Sequence, residues 1–128
     1  MPYWIHWHPD GLHAEFAGPS IVSDLLEADA EVHGRKPREG LRWFLWDLSG
    51  AQVTDGGPED AEHIARVDRI ASSPECVMQG AIVVADPRAA QIAHAYVAEC
   101  EAADNGWHVR VFTSLADARR WLDLPEAS

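Results

Sequence analysis

The sequence predicts an α/β fold: a five-stranded mixed sheet, opened by an antiparallel β-hairpin and carrying about four helices, in the order ββαβαβαβα. Three observations predict it. A tight-turn signal separates two alternating runs near the start, two later runs are continuously apolar, and the stretches between and after them carry apolar residues at helical spacing.

Tyr3 to His8 and Leu12 to Ala17 flank His8-Pro9-Asp10-Gly11, where proline, aspartate and glycine each favour a turn for a separate backbone reason. Leu12, Ala14 and Phe16 share one face of the resulting hairpin, and His13 and Glu15 share the other. After Gly18-Pro19, Ile21, Leu25, Ala28 and Val32 recur at helical spacing, with Ser20 read as the N-cap and Gly34 as the stop. Trp43 to Leu48 is bulky and apolar apart from Asp47, the pattern of a central strand buried on both faces.

The segment from Gly50 to Pro58 reads as loop. The next helix places Pro58 in its first turn and Glu59, Asp60 and Glu62 where the helix dipole favours acids, with Ile64, Val67 and Ala71 inward. Ala81 to Ala85 is a second buried strand. Asp86-Pro87 is an N-cap followed by a first helical residue, and Ala89, Ile92, Ala93, Tyr96, Val97 and Cys100 make an amphipathic stripe that Gly106 closes. Trp107 to Phe112 alternates, which places it near a sheet edge, and Ser114 to Asp117 forms a capping-box variant before a helix that buries Leu115, Ala118 and Leu122. Helices of this length between strands imply parallel neighbours joined by crossovers.

At 128 residues the expectation is one domain, 1–128, burying roughly two-thirds of its unfolded surface. With 21 acidic residues against 10 Lys and Arg, the formal charge of -11 argues against nucleic acid and anionic lipid surfaces. Arg35, Lys36 and Arg38 are the one small basic cluster. No apolar run is long enough for membrane insertion, and Met1 to His6 lacks the features of a secretory signal. Cys76 and Cys100 are too few and too far apart for a disulfide framework or a four-ligand zinc site, so a cytoplasmic protein is expected.

Chemistry-bearing patterns are sparse. His6, His8 and His13 fall together on the hairpin, but an ordinary surface role accounts for them, and no metal or other cofactor is assigned. His33, His63, His94 and His108 are isolated. Trp43, Trp46 and Trp121 are expected in the core, whereas Trp4, Trp7 and Trp107 are candidates for an exposed patch. No G-x-G-x-x-G, P-loop or G-x-S-x-G pattern occurs. Asp47, Asp55 and Asp86 are read at or after strand carboxyl ends, where ligands bind in α/β sheets, and Asp86 is explained as a cap. A response-regulator receiver is rejected, because Lys36 is the only lysine and the first element is a hairpin.

The hairpin opening, the segment Phe44-Leu45-Trp46-Asp47-Leu48-Ser49-Gly50-Ala51-Gln52-Val53-Thr54-Asp55-Gly56-Gly57 and the ending from Val109 to Leu122, of form V-x-V-F-x-S-L-x-x-A-x-x-W-L, together resemble the STAS fold, in particular its SpoIIAA-like branch. The resemblance spans most of the chain. It implies a non-enzymatic module for protein interaction or ligand sensing, since anti-sigma-factor antagonists of this type dock a kinase through the loop and helix after the third strand. That loop carries an Asp-Ser-Ser-Gly type sequence whose serine is phosphorylated. The matching stretch here is Asp55-Gly56-Gly57-Pro58, so the phosphoacceptor serine is missing and Thr54 is the nearby hydroxyl.

The first expectation is therefore a protein partner bound through Thr54, Asp55, Gly56, Gly57, Asp60 and His63, with no catalytic residue. The alternatives are a small apolar-ligand or lipid binder, suggested by the tryptophan-rich hairpin, and an acid/base enzyme using Asp47, Asp55 and a histidine. A homodimer through the hairpin edge or a tryptophan patch is a further expectation.

Overall fold

A computed structural model describes residues 3–35, 42–71, 78–103 and 107–124. The elements are β1 (Tyr3–Trp7), β2 (Gly11–Ser20), α1 (Val22–Arg35), β3 (Trp43–Val53), α2 (Pro58–Ala71), β4 (Met78–Val84), α3 (Pro87–Ala103), β5 (Trp107–Phe112) and α4 (Leu115–Trp121). They form one five-stranded sheet in which spatial order repeats chain order, β1-β2-β3-β4-β5. β1 is antiparallel to β2 and every other neighbouring pair is parallel.

The expected α/β class, mixed sheet and element order are all present. Because each crossover steps one strand in the same direction, three crossovers of one hand must put their helices on one face. The packing agrees: Val22, Leu25, Ala28 and Val32 of α1, Ala61, Ile64 and Ala65 of α2, and Ala89, Ile92, Ala93, Tyr96 and Cys100 of α3 share a core with Leu12, Ala14, Phe16, Phe44 and Ile82. Among the described residues, the other face is covered in part. There α4 lays Ala118 and Leu122 over Trp43, Leu45, Ala81 and Val83, flanked by Phe112, Leu115 and Trp121. Among the described residues, no helix is long and apolar enough to cross a membrane.

The hairpin forms as the sequence requires, with register from Trp7–Leu12 to Tyr3–Phe16. Its turn is tied to the start of β3: Trp43 Nε1 donates to Asp10 Oδ1 at 3.0 Å and Arg42 N to Asp10 O at 2.7 Å. At the other end the sequence reading needs correction. β2 continues through Gly18, whose φ of 74° lies in the region glycine tolerates, and Pro19 to Ser20, which is buried opposite Val53. Ser20 is thus the last strand residue and not an N-cap. The buried stripe of α1 begins at Val22, leaving Ile21 43% exposed, and the helix runs past Gly34 to Arg35.

β3 also outruns its predicted end. Glu15 pairs with Asp47 but Ala17 pairs with Gly50, so Leu48 and Ser49 of β3 oppose Phe16 alone in a β-bulge. Before the bulge Phe44 and Leu48 join the core shared by the three helices; after it Ala51 and Val53 do. Gly50 to Val53 is therefore strand, and only Thr54 to Gly57 remain as loop. Asp47 consequently lies inside the strand and not at its carboxyl end.

The caps at Asp86 and Ser114 form as expected, accepting from Ala89 N at 3.1 Å and Asp117 N at 3.3 Å. The side chains of Val67 and Ala71, and all of Gly106, Cys76, Lys36 and Arg38, lie outside the described residues.

Candidate functional site

Parallel strands pointing one way bring the starts of α1, α2 and α3 to one edge of the sheet, and the loop Thr54–Gly57 lies among them. Its side chains are spent on neighbouring elements. Asp55 Oδ1 accepts from Val22 N at 2.7 Å, so the carboxylate that caps α1 comes from 33 residues away. Thr54 donates to Ser20 O through its main-chain N at 2.8 Å and through Oγ1 at 3.1 Å. Asp60 Oδ2 reaches back to Gly57 N at 2.9 Å and caps its own helix α2. Arg88 on α3 donates from Nη1 to Gly56 O at 2.6 Å, and Val53 N donates to Asp86 Oδ2 at 3.2 Å.

Of the six residues singled out for a partner, Thr54, Asp55, Gly56 and His63 are exposed, Asp60 is half-buried and Gly57 is buried. Asp60 is thus a capping group first and a poor recognition group. Gly56 is explained structurally: its φ is 77°, and a Cβ there would strike Val22 Cγ2 and Asp60 Oδ2. The loop is a hydrogen-bonded junction presenting Thr54, Asp55 and the Gly56 backbone, with Glu59, Glu62 and His63 exposed along the first turns of α2.

Sequence reasoning missed two members of this surface. Ile21 was placed in the core, yet it stands exposed beside Val22, which the loop caps. Its neighbour Val22 also fits the helical stripe, and a one-residue phase shift was enough to exchange them. Arg88 carried no signal, because its tie to Gly56 depends on the adjacency of α3 and the loop.

A second cluster occupies the part of the sheet's other face that carries β1, β2 and the middle of β3. His6 and His13 are register partners with ring centroids 5.7 Å apart. His6 Nε2 lies 3.6 Å from Glu15 Oε2, and His13 Nε2 lies 3.9 Å from Asp47 Oδ2. Ser49 holds the other oxygen of Asp47, donating from Oγ at 2.6 Å and from N at 3.0 Å. His8 turns instead to Trp43, with ring centroids 5.2 Å apart. Among the described residues, no three His, Cys, Asp or Glu side chains stand where they could hold one metal ion.

Burial pushes the Asp47 carboxyl up, but the His13 imidazole and the side-chain and backbone donations from Ser49 outweigh it and hold the group below the ordinary carboxylate range. A carboxyl lowered in the folded state stabilises the fold above its unfolded pKa of about 3.9, and that contribution is lost as pH falls through the lower folded value. Asp47→Asn is therefore expected to lower the urea midpoint at neutral pH and to flatten the acid limb below about pH 4. Urea melts across pH check this, and an unchanged acid limb refutes it.

Asp47 and Asp55 are not brought together. Six residues of strand, roughly 20 Å at about 3.3 Å each, separate Asp47 from the end of β3, and the two carboxylates serve different elements. Trp43 is buried as expected, Trp46 and Trp121 are half-buried, and Trp4 is 51% exposed. Compared with protein-family models the sequence matches none, and no curated protein matches it.

Proposed function

We propose that this chain is a STAS-like, non-enzymatic module that binds a protein partner through Ile21, the Thr54–Gly57 loop and the exposed start of α2. The observation that carries the reading is Ile21, a 43%-exposed apolar side chain set beside a loop that three neighbouring elements hold in one shape. An apolar anchor on a pre-organised surface is what protein recognition favours, because little ordering cost remains to be met on binding. Support for the STAS-like assignment comes from the sequence resemblance and from the matching element order. The absence of serine from Asp55-Gly56-Gly57-Pro58 and the engagement of Thr54 Oγ1 with Ser20 O favour constitutive binding over a phosphorylation switch.

The test is an affinity capture from extracts of the native host with wild type, Ile21→Arg and His63→Glu, using Glu101→Arg near the far end of α3 as a control. Burying an isoleucine contributes about 1.5–3 kcal/mol, so Ile21→Arg is expected to weaken the captured complex at least about tenfold. Glu101→Arg is expected to bind as wild type. Equal recovery by wild type and both site variants would sink this surface.

A further inference from the structure

The start of α1 is held by two carboxylates. Ile21 N donates to Asp24 Oδ2 at 2.9 Å and Val22 N to Asp55 Oδ1 at 2.7 Å, so the exposed Ile21 side chain is carried on backbone that acids flank on both sides. Trp4 is the other large apolar side chain exposed among the described residues, but Tyr3, Ile5 and Trp7 face the helical core, so alternation puts Trp4 on the opposite side of the sheet. On the helical side Ile21 stands alone among the described residues.

The charge around Ile21 has one dominant sign. Asp55, Glu59 and Glu62 are exposed, and Asp24, Asp60 and Asp86 are half-buried at helix starts. An ionised carboxylate offers about four acceptor positions, so capping an N–H uses only part of what each presents. The arginines at this edge are already engaged: Arg66 Nη2 pairs with Glu62 Oε1 at 3.2 Å, and Arg88 Nη1 donates to Gly56 O at 2.6 Å. Along α1 the sign continues, since Val22 to Val32 holds Asp24, Glu27 and Glu31 and neither Lys nor Arg. Their field reaches β1, where burial pushes the Tyr3 hydroxyl up and Glu31, Glu27 and Asp24 push it further. Arg110, Arg119 and Arg120 lie away from this surface, on β5 and α4 across the sheet.

We propose that the partner of this surface is a basic, amphipathic protein segment whose apolar residues close over Ile21 while its Lys and Arg side chains meet the carboxylates of the loop, of α1 and of the start of α2. The inference rests on the reading of Ile21, Thr54–Gly57 and α2 as a partner-binding surface, and adds the chemistry of what binds there. Charge complementarity selects this occupant. A second copy docked through the same face would set these carboxylates against themselves, and a phosphate backbone or an anionic bilayer is repelled for the same reason. A wholly apolar partner would take water from the acids and return no donor. Attraction of this kind steers encounter and fades as salt screens it.

Nitrogen-15 chemical-shift mapping on the full chain tests the proposal with two defined probes, an amphipathic helical peptide of leucine and lysine and its leucine and glutamate counterpart. The lysine peptide is expected to shift the amides of Ile21, Val22, Gly56, Glu59, Glu62 and His63, and the glutamate peptide to shift none of them. Raising NaCl from about 50 mM to about 500 mM is expected to weaken the lysine peptide at least about fivefold. Ile21→Ser is expected to weaken it at least about fivefold and the double variant Glu59→Gln/Glu62→Gln at least about threefold, with the circular dichroism spectrum unchanged, whereas Glu101→Gln at the far end of α3 binds as wild type. Shifts centred on α4 and β5, equal affinity for Ile21→Ser, or equal binding of the glutamate peptide would each overturn the proposal. The complex captured from host extracts separates this inference from the reading beneath it. Capture that needs Ile21 but is indifferent to salt and to Glu59→Gln/Glu62→Gln overturns the basic partner and leaves the binding surface standing; capture indifferent to Ile21→Arg and to His63→Glu removes both.

Discussion

Replacing Phe16 with alanine is expected to lower unfolding stability by about 3–5 kcal/mol, a large share of the 5–15 kcal/mol typical of a domain. Phe16 is among the largest fully buried side chains among the described residues, at 1% exposure. It joins three strands: its ring lies 5.6 Å from that of Tyr3 on β1 and stacks at 5.4 Å on Trp46 of β3. It is also the residue that the bulge of β3 embraces, so neighbouring backbone on both sides is fixed around it. A cavity there cannot collapse easily, which puts the cost towards the upper end of the range. Phe16→Leu, which keeps most of the volume, is expected to lose less than about 1.5 kcal/mol. Urea denaturation at matched protein concentration checks both, and a loss below about 1.5 kcal/mol for Phe16→Ala would show that the three strands are not joined through this ring.

Gly80→Ala is expected to destabilise by about 1–3 kcal/mol, although glycine to alanine at a permissive position gains about 0.4–1 kcal/mol through the unfolded chain. Gly80 on β4 is the register partner of Phe44 on β3, and a Cβ at Gly80 would overlap Phe44 Cζ and both Cε atoms. Phe44 is buried beneath the helices, so moving its ring would displace packed neighbours. The sign of the effect therefore discriminates. Combining Gly80→Ala with Phe44→Leu is expected to cost at least about 1 kcal/mol less than the sum of the single changes, since the smaller side chain vacates the space the new methyl needs. Urea melts of the four proteins measure this, and strict additivity would mean that the ring does not lie over the glycine.

The elements most legible in the sequence were those specified by local chemistry. Pro9-Asp10-Gly11 announces a turn, Asp86-Pro87 and Ser114-Asp117 announce helix starts, and the Ala89–Cys100 stripe has one period from end to end. What stayed hidden depends on neighbouring strands. The bulge reverses the parity of β3 between Leu48 and Ala51, so alternation breaks and the second half of the strand resembles loop. Ser20 looks like a cap in sequence because the side chain that does cap α1, Asp55, lies 33 residues away. For the same reason the surroundings of the candidate loop differ from their sequence reading: Asp60 serves its own helix, and Ile21 and Arg88 come beside the loop only through tertiary adjacency. In the sequence His13 groups with the other hairpin histidines and Asp47 with Asp55 and Asp86, and no local pattern could pair His13 with Asp47 across two strands.

The agreement of sheet order with chain order bears on how the molecule is made. Each parallel strand docks on an edge completed by the strand before it, so no later segment has to be inserted between two already paired ones. During synthesis the β2–β3 pair, then β4, then β5 can be added vectorially as they leave the ribosome, with growth confined to one side of the sheet. The opposite side is finished as soon as the hairpin closes, and among the described residues every later strand is added away from it.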